Sequence, residues 1–132
     1  MPTIDKIKYG DTIYDIGENG TTNNIYFFEE QVIGTWIDGK PIYRKVIHYN
    51  QLIEVDQINI PHNVSNIGTY TNAYGYTRFN EKNYQFGAYA NSAAYINIQN
   101  IDNQYIVLNC GENWNNLFDN TYIILEYTKT TD

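Results

Sequence analysis

The chain has 132 residues, 42% of them hydrophobic, with 8 Lys and Arg against 15 Asp and Glu for a net charge of −7. That length fits one packed domain, and the hydrophobic share argues against disorder. The acidic balance argues against nucleic acid as a partner, because affinity for phosphate backbones comes from Lys and Arg neutralising them.

Apolar runs fall far short of the ~20 residues a membrane-spanning helix needs, so no membrane partner is expected. No basic stretch followed by an apolar one opens the chain, so no secretory leader is expected. Cys110 is the one cysteine; it has no intrachain partner and reads as a buried structural thiol. The composition holds 19 Asn, 19 Ile, 14 Tyr and 12 Thr but 4 Leu, 5 Ala and 1 Met. Ile, Tyr and Thr suit a pleated, half-buried surface, the strong helix formers are scarce, and Asn and Gly supply turns, so the chain reads as all-β.

In chain order, Ile4 to Ile16 predicts two short strands around Gly10-Asp11. Glu18-Asn19-Gly20 predicts a turn, and Thr21 to Phe28 another strand. Val32 to Ile37 and Lys40 to Tyr49 flank Asp38-Gly39, the strongest hairpin signal in the chain. Leu52 to Ile60 predicts a strand ended by Pro61-His62-Asn63. Five more strands are expected at Gly68 to Phe79, Tyr84 to Tyr89, Ala94 to Ile98, Tyr105 to Asn109 and Tyr122 to Tyr127. Asn113 to Phe118 has room for one helical turn. Short strands at this spacing predict an antiparallel sandwich or barrel.

Motifs for enzyme chemistry are not found: no phosphate loop, no His-Glu-x-x-His, no Gly-x-Ser-x-Gly. His48 and His62 are 14 residues apart, and nothing local makes them a metal pair. His48 is expected beside a sheet edge and His62 as a hydrogen-bonding group in the turn after Pro61. Glu29-Glu30, Glu54/Asp56 and Asp102 are carboxylates without a pairing signal. No catalytic residue, metal or cofactor is therefore expected. Aromatic side chains carry the more plausible chemistry. Tyr70, Tyr74, Tyr76, Arg78, Tyr84 and Trp114 lie in Asn-rich stretches. A sugar stacks its C–H face on such rings while amides satisfy its hydroxyls, so these six are the candidate ligand-binding residues.

The segment Glu30-Gln31-Val32-Ile33-Gly34-Thr35-Trp36-Ile37-Asp38-Gly39-Lys40-Pro41-Ile42-Tyr43-Arg44-Lys45, with Ile60 to Ile67 and the ending Leu125 to Asp132, resembles the distal domain of bacteriophage tail fibres, upper baseplate proteins and other virion appendages of phages of Gram-positive bacteria. Ile4 to Ile16 resembles the short attachment element near the start of such proteins. The resemblance implies an antiparallel, jelly-roll-like β-sandwich knob, homotrimeric, on the outside of the particle and without catalytic residues. It divides the chain into an attachment element at 1–28 and a knob at 29–132. It also implies other virion proteins and a host-surface glycan as partners, and synthesis in the bacterial host cytoplasm. About 13 residues separate Ile16 from Glu30, where fibres carry a long shaft, so decoration of the phage head is the alternative. The mixed faces of the hairpin independently favour association with other copies. Trp36, Tyr43, Ile47 and the last strand around Tyr127 are the interface candidates.

Overall fold

The computed structural model describes residues 6–9, 12–15, 25–54 and 56–132, the first two stretches as strands only. The chain is all-β, with two larger antiparallel sheets and a separate hairpin. β1 (Lys6–Tyr9) and β2 (Thr12–Asp15) form the hairpin, as the break at Gly10-Asp11 predicts. The five-stranded sheet runs β3-β4-β11-β6-β7: β3 (Gln31–Thr35), β4 (Pro41–Tyr49), β11 (Thr121–Lys129), β6 (Ile67–Phe79) and β7 (Lys82–Gln85). The four-stranded sheet runs β5-β10-β9-β8: β5 (Asp56–Pro61), β10 (Tyr105–Cys110), β9 (Ala94–Ile101) and β8 (Ala88–Asn91).

One buried cluster joins the two sheets. Ile47, Ile123, Leu125 and Tyr127 come from the five-stranded sheet, and Ile60, Ile96, Ile106, Leu108 and Cys110 from the other. β11 lies at the centre of its sheet, and Thr121, Ile123, Leu125 and Tyr127 along it are all 0% exposed. Each buried aliphatic side chain there contributes about 1.5–3 kcal/mol. Thr77 and Thr121 face each other across β6 and β11, and their hydroxyls, 2.7 Å apart, satisfy one another in the dry core.

Turn chemistry explains the connections. The β3–β4 hairpin closes through Ile37-Asp38-Gly39, one residue more than the Asp-Gly pair alone. Gly39 takes φ +88°, and the Asp38 carboxylate accepts the Lys40 N–H at 3.0 Å. β6 turns into β7 through Asn80 and Glu81, both at positive φ (53° and 64°), so Lys82 and Asn83 are strand residues. At the β9–β10 turn the Asp102 carboxylate accepts the N–H groups of Gln104 and Tyr105 at 2.8 and 2.7 Å, which holds its pKa below the ordinary carboxylate value.

Three expectations change. The strand expected from Leu52 begins at Asp56, because Ile53 is drawn into the core by backbone bonds to Phe118 and Asn116. The strand expected over Tyr84 to Tyr89 is two strands in different sheets. The chain crosses at Phe86-Gly87, where Gly87 takes φ +100° and donates its N–H to Ile96. Of the strand expected over Thr21 to Phe28, residues 25–28 form none; residues 21–24, like the Glu18-Asn19-Gly20 turn, lie outside the described residues. The helical turn is a 3₁₀ turn at Glu112–Trp114.

Candidate functional site

Alternation along a strand sends neighbouring side chains to opposite faces. With Thr121, Ile123, Leu125 and Tyr127 facing the core, Tyr122, Ile124 and Glu126 lie on the outer face of the five-stranded sheet. Register then builds three rows across β4, β11 and β6: His48–Tyr122–Tyr76, Val46–Ile124–Tyr74 and Arg44–Glu126–Asn72. The first row is aromatic. His48 stacks on Tyr122 at 4.3 Å, and Tyr76 lies 5.7 Å from Tyr122 on the other side.

The third row holds a polar network. Arg44 places Nε and Nη2 each 3.0 Å from Glu126 Oε2, and Tyr74 donates its phenol hydrogen to the same oxygen at 3.1 Å. Because that hydrogen is committed, Tyr26 donates to the Tyr74 hydroxyl, 3.4 Å away. Burial first, then the Tyr26 hydrogen bond and the Glu126 charge, hold the Tyr74 phenol well above its ordinary value. Burial disfavours the Arg44 charge, but Glu126 outweighs it and raises the guanidinium pKa.

Residues 25–29 run along the β4 side of this face as a strap. Phe27 accepts the Val46 N–H at 2.9 Å, the Ile25 carbonyl accepts Arg44 Nη1 at 3.3 Å, and the guanidinium sits 4.7 Å over the Tyr26 ring. Between the strap, the sheet and Phe86 lies an open groove of about 750 Å³. Its floor includes Val46, Ile124 and Tyr122, and its walls Tyr26, Phe28, Tyr74 and Tyr76.

Glu30 anchors the far end of the strap. Its carboxylate accepts the Tyr127 hydroxyl at 2.6 Å and Lys129 Nζ at 2.7 Å. Partial burial pushes the carboxyl up, but these two bonds and the Lys129 charge outweigh it, leaving the group below its ordinary value of 4.5. A depressed carboxyl stabilises the fold above its unfolded pKa, and that contribution is lost as pH falls through the folded value. Glu30→Gln should therefore cost about 1 kcal/mol at pH 7, with the gap to the unaltered protein closing as the pH falls below the ordinary 4.5 and through the lowered value. Urea unfolding at pH 7 and in acid checks this; an unchanged gap in acid would refute the assignment.

The six ligand candidates divide. Tyr74 and Tyr76 line the groove. Arg78 is exposed two residues further along β6, beyond the groove lining. Tyr70 points the other way: its ring meets Tyr127 edge-on at 6.4 Å, and its hydroxyl donates to the Asp102 carbonyl at 3.1 Å. Burial and the Asp102 charge push its phenol to about 12. Tyr84 and Trp114 pack together at 5.3 Å and against Phe118 at 5.2 and 5.8 Å, on the edge of the core. The six therefore do not form one cluster.

Of the interface candidates, Ile47 (8% exposed) and Tyr127 (0%) are buried within the single chain, because β4 and β11 are interior strands of the core sheet. Trp36 is half-buried, and Tyr43 is half-buried with its hydroxyl on Asp132 at 2.7 Å. Exposed apolar side chains lie instead on and beside β3: Val32 (62%), Ile33 (38%) and Ile37 (91%). Sequence reasoning also missed Tyr26, Phe28 and Tyr122 at the groove. Tyr122 was accessible through strand alternation alone, whereas Tyr26 and Tyr74 are 48 residues apart.

His62 is buried and hydrogen-bonded in the turn after Pro61, as expected. Its Nδ1 accepts the Val64 N–H at 3.1 Å, so Nε2 carries the hydrogen and donates to the Asp102 carbonyl at 2.8 Å. His48 is exposed on interior strand β4, 2.7 Å from Asn120 Oδ1. Cys110 is buried, and desolvation raises its thiol to about 11. Among the described residues no three His, Cys, Asp or Glu side chains gather as a metal site, and no helix is long and apolar enough to cross a membrane. No protein-family model matches the chain, and comparisons with curated proteins and with solved structures likewise find no match.

Proposed function

We propose that this chain is a non-enzymatic bacteriophage virion structural protein, a homotrimeric β-sandwich knob of jelly-roll type on the particle exterior, binding a host-surface glycan through the groove of the five-stranded sheet. The groove is the observation that carries the reading. Its open trough of about 750 Å³ is lined by aromatic and aliphatic side chains, four of them tyrosines, chemistry suited to the C–H faces and hydroxyls of sugars. The likeness of Glu30 to Lys45 and of the final strand to phage appendage domains supports the virion setting. Two antiparallel sheets around one buried cluster support the sandwich. Edge strand β3 supports assembly, since all five of its residues are exposed and a neighbouring copy would cover Val32, Ile33 and Ile37. Three weak sites on one rigid trimer would then act together on a glycan-bearing wall.

Binding to host cell walls or a glycan array should fall about tenfold or more in Tyr74→Ala and in Tyr26→Ala. The second variant alters a side chain that is 45% exposed, so its urea midpoint should stay close to that of the unaltered protein. Full binding by both would remove the groove from the reading. Light scattering should give the mass of a trimer, and a stable monomer would overturn the assembly. The second reading, decoration of the phage head, is supported by the short stretch between β2 and the strap, which leaves no room for a shaft. It requires association with isolated heads and no affinity for host cells.

A further inference from the structure

The chemistry of the groove is one-sided. Among its 13 described lining residues seven are aromatic, Glu29 alone carries a charge, and none is Lys, Arg or His. Arg44, beside the groove, has all three guanidinium nitrogens in polar contacts: Nε and Nη2 bind Glu126 at 3.0 Å and Nη1 binds the Ile25 carbonyl at 3.3 Å. The phenol hydrogens of Tyr74 and Tyr26 are committed within the same network. The groove therefore offers a ligand aromatic rings, a ring type whose faces carry negative quadrupole density, and the exposed Glu29 carboxylate. Among the described lining residues a phosphate or uronate would meet no cation, on a chain of net charge −7.

We propose that the groove selects a sugar bearing a free amine, its ammonium set against the ring faces and Glu29 and its C–H face on the tyrosines. This deepens the reading of the groove as a glycan site and rests on it. A trimethylammonium head group fits less well, because it has no N–H for the carboxylate or the phenol oxygens, whereas a protonated primary amine has three.

The test is titration calorimetry with the glucosamine disaccharide, its N-acetylated counterpart and choline. The free-amine sugar should bind about fivefold more tightly than the acetylated one. Glu29→Gln should reduce that preference and leave affinity for the acetylated sugar unchanged. Glu112→Gln, which removes the same charge from the exposed 3₁₀ turn, should leave the preference intact, and Tyr26→Ala should weaken both sugars. Equal or tighter binding of the acetylated sugar overturns the amine assignment while the sugar groove stands. Choline binding more tightly than the amino sugar overturns it in favour of a quaternary ammonium site. Equal loss of preference in Glu112→Gln reduces it to general charge attraction and overturns it. Binding of neither sugar removes the glycan reading as well.

Discussion

Gly75→Ala is expected to destabilise the fold by about 3–5 kcal/mol, a large share of the total for a domain of this size. Gly75 sits in β6 opposite Ile123 of β11, at φ +153°. A Cβ built there would lie 2.0 Å from the Tyr122 carbonyl oxygen and 3.0 Å from Ile123 Cα. Both atoms belong to the backbone of the central strand, so no side chain can swing aside to relieve the clash. The methyl group must push β6 from β11, and with it Tyr74 and Tyr76 from Tyr122. Gly34→Ala is the matched control, because a Cβ there meets nothing within 4 Å. It should change stability by less than about 0.5 kcal/mol. Urea midpoints for the two variants measure the difference. Similar midpoints would mean that β6 and β11 do not approach this closely.

Phe118→Ala comes second, with an expected cost of about 3–5 kcal/mol. Phe118 is 1% exposed and lies among Phe79, Tyr84 and Trp114, with ring centroids 6.5, 5.2 and 5.8 Å away. Its carbonyl also accepts the Ile53 N–H at 2.9 Å, holding the loop before β5 against the core. Removing the ring leaves a cavity that three stiff aromatic neighbours cannot fill. Trp114→Ala and Tyr84→Ala should likewise act first on stability. Any loss of ligand binding in those two should follow their unfolding curves, in contrast to Tyr26→Ala, which should bind poorly while fully folded.

The class of fold was legible because Ile, Tyr and Thr abound while strong helix formers are scarce, and because turn residues break the chain into short extended runs. The Asp38-Gly39 hairpin was legible because glycine at positive φ is a local requirement. The crossing at Phe86-Gly87 was not. Alternation shows that a segment is extended, but it does not show which sheet each half joins, and that choice is made by distant pairing with β6 and β9. The site divides along the same line. Tyr74 and Tyr76 were identifiable from their own stretch of sequence. Tyr84 and Trp114 looked equivalent to them, and they pack inward only because Phe118 lies between the same loops. The strap over the groove depends on contacts such as Val46 with Phe27, which no local pattern announces.

Cys110 ends β10 at 1% exposure, its sulfur 3.4 Å from the Trp114 carbonyl. A lone thiol so enclosed is a ready-made clock. A thiol-reactive dye can reach it only when the 3₁₀ turn lifts or the sheets part, so the labelling rate counts those openings without any engineered reporter.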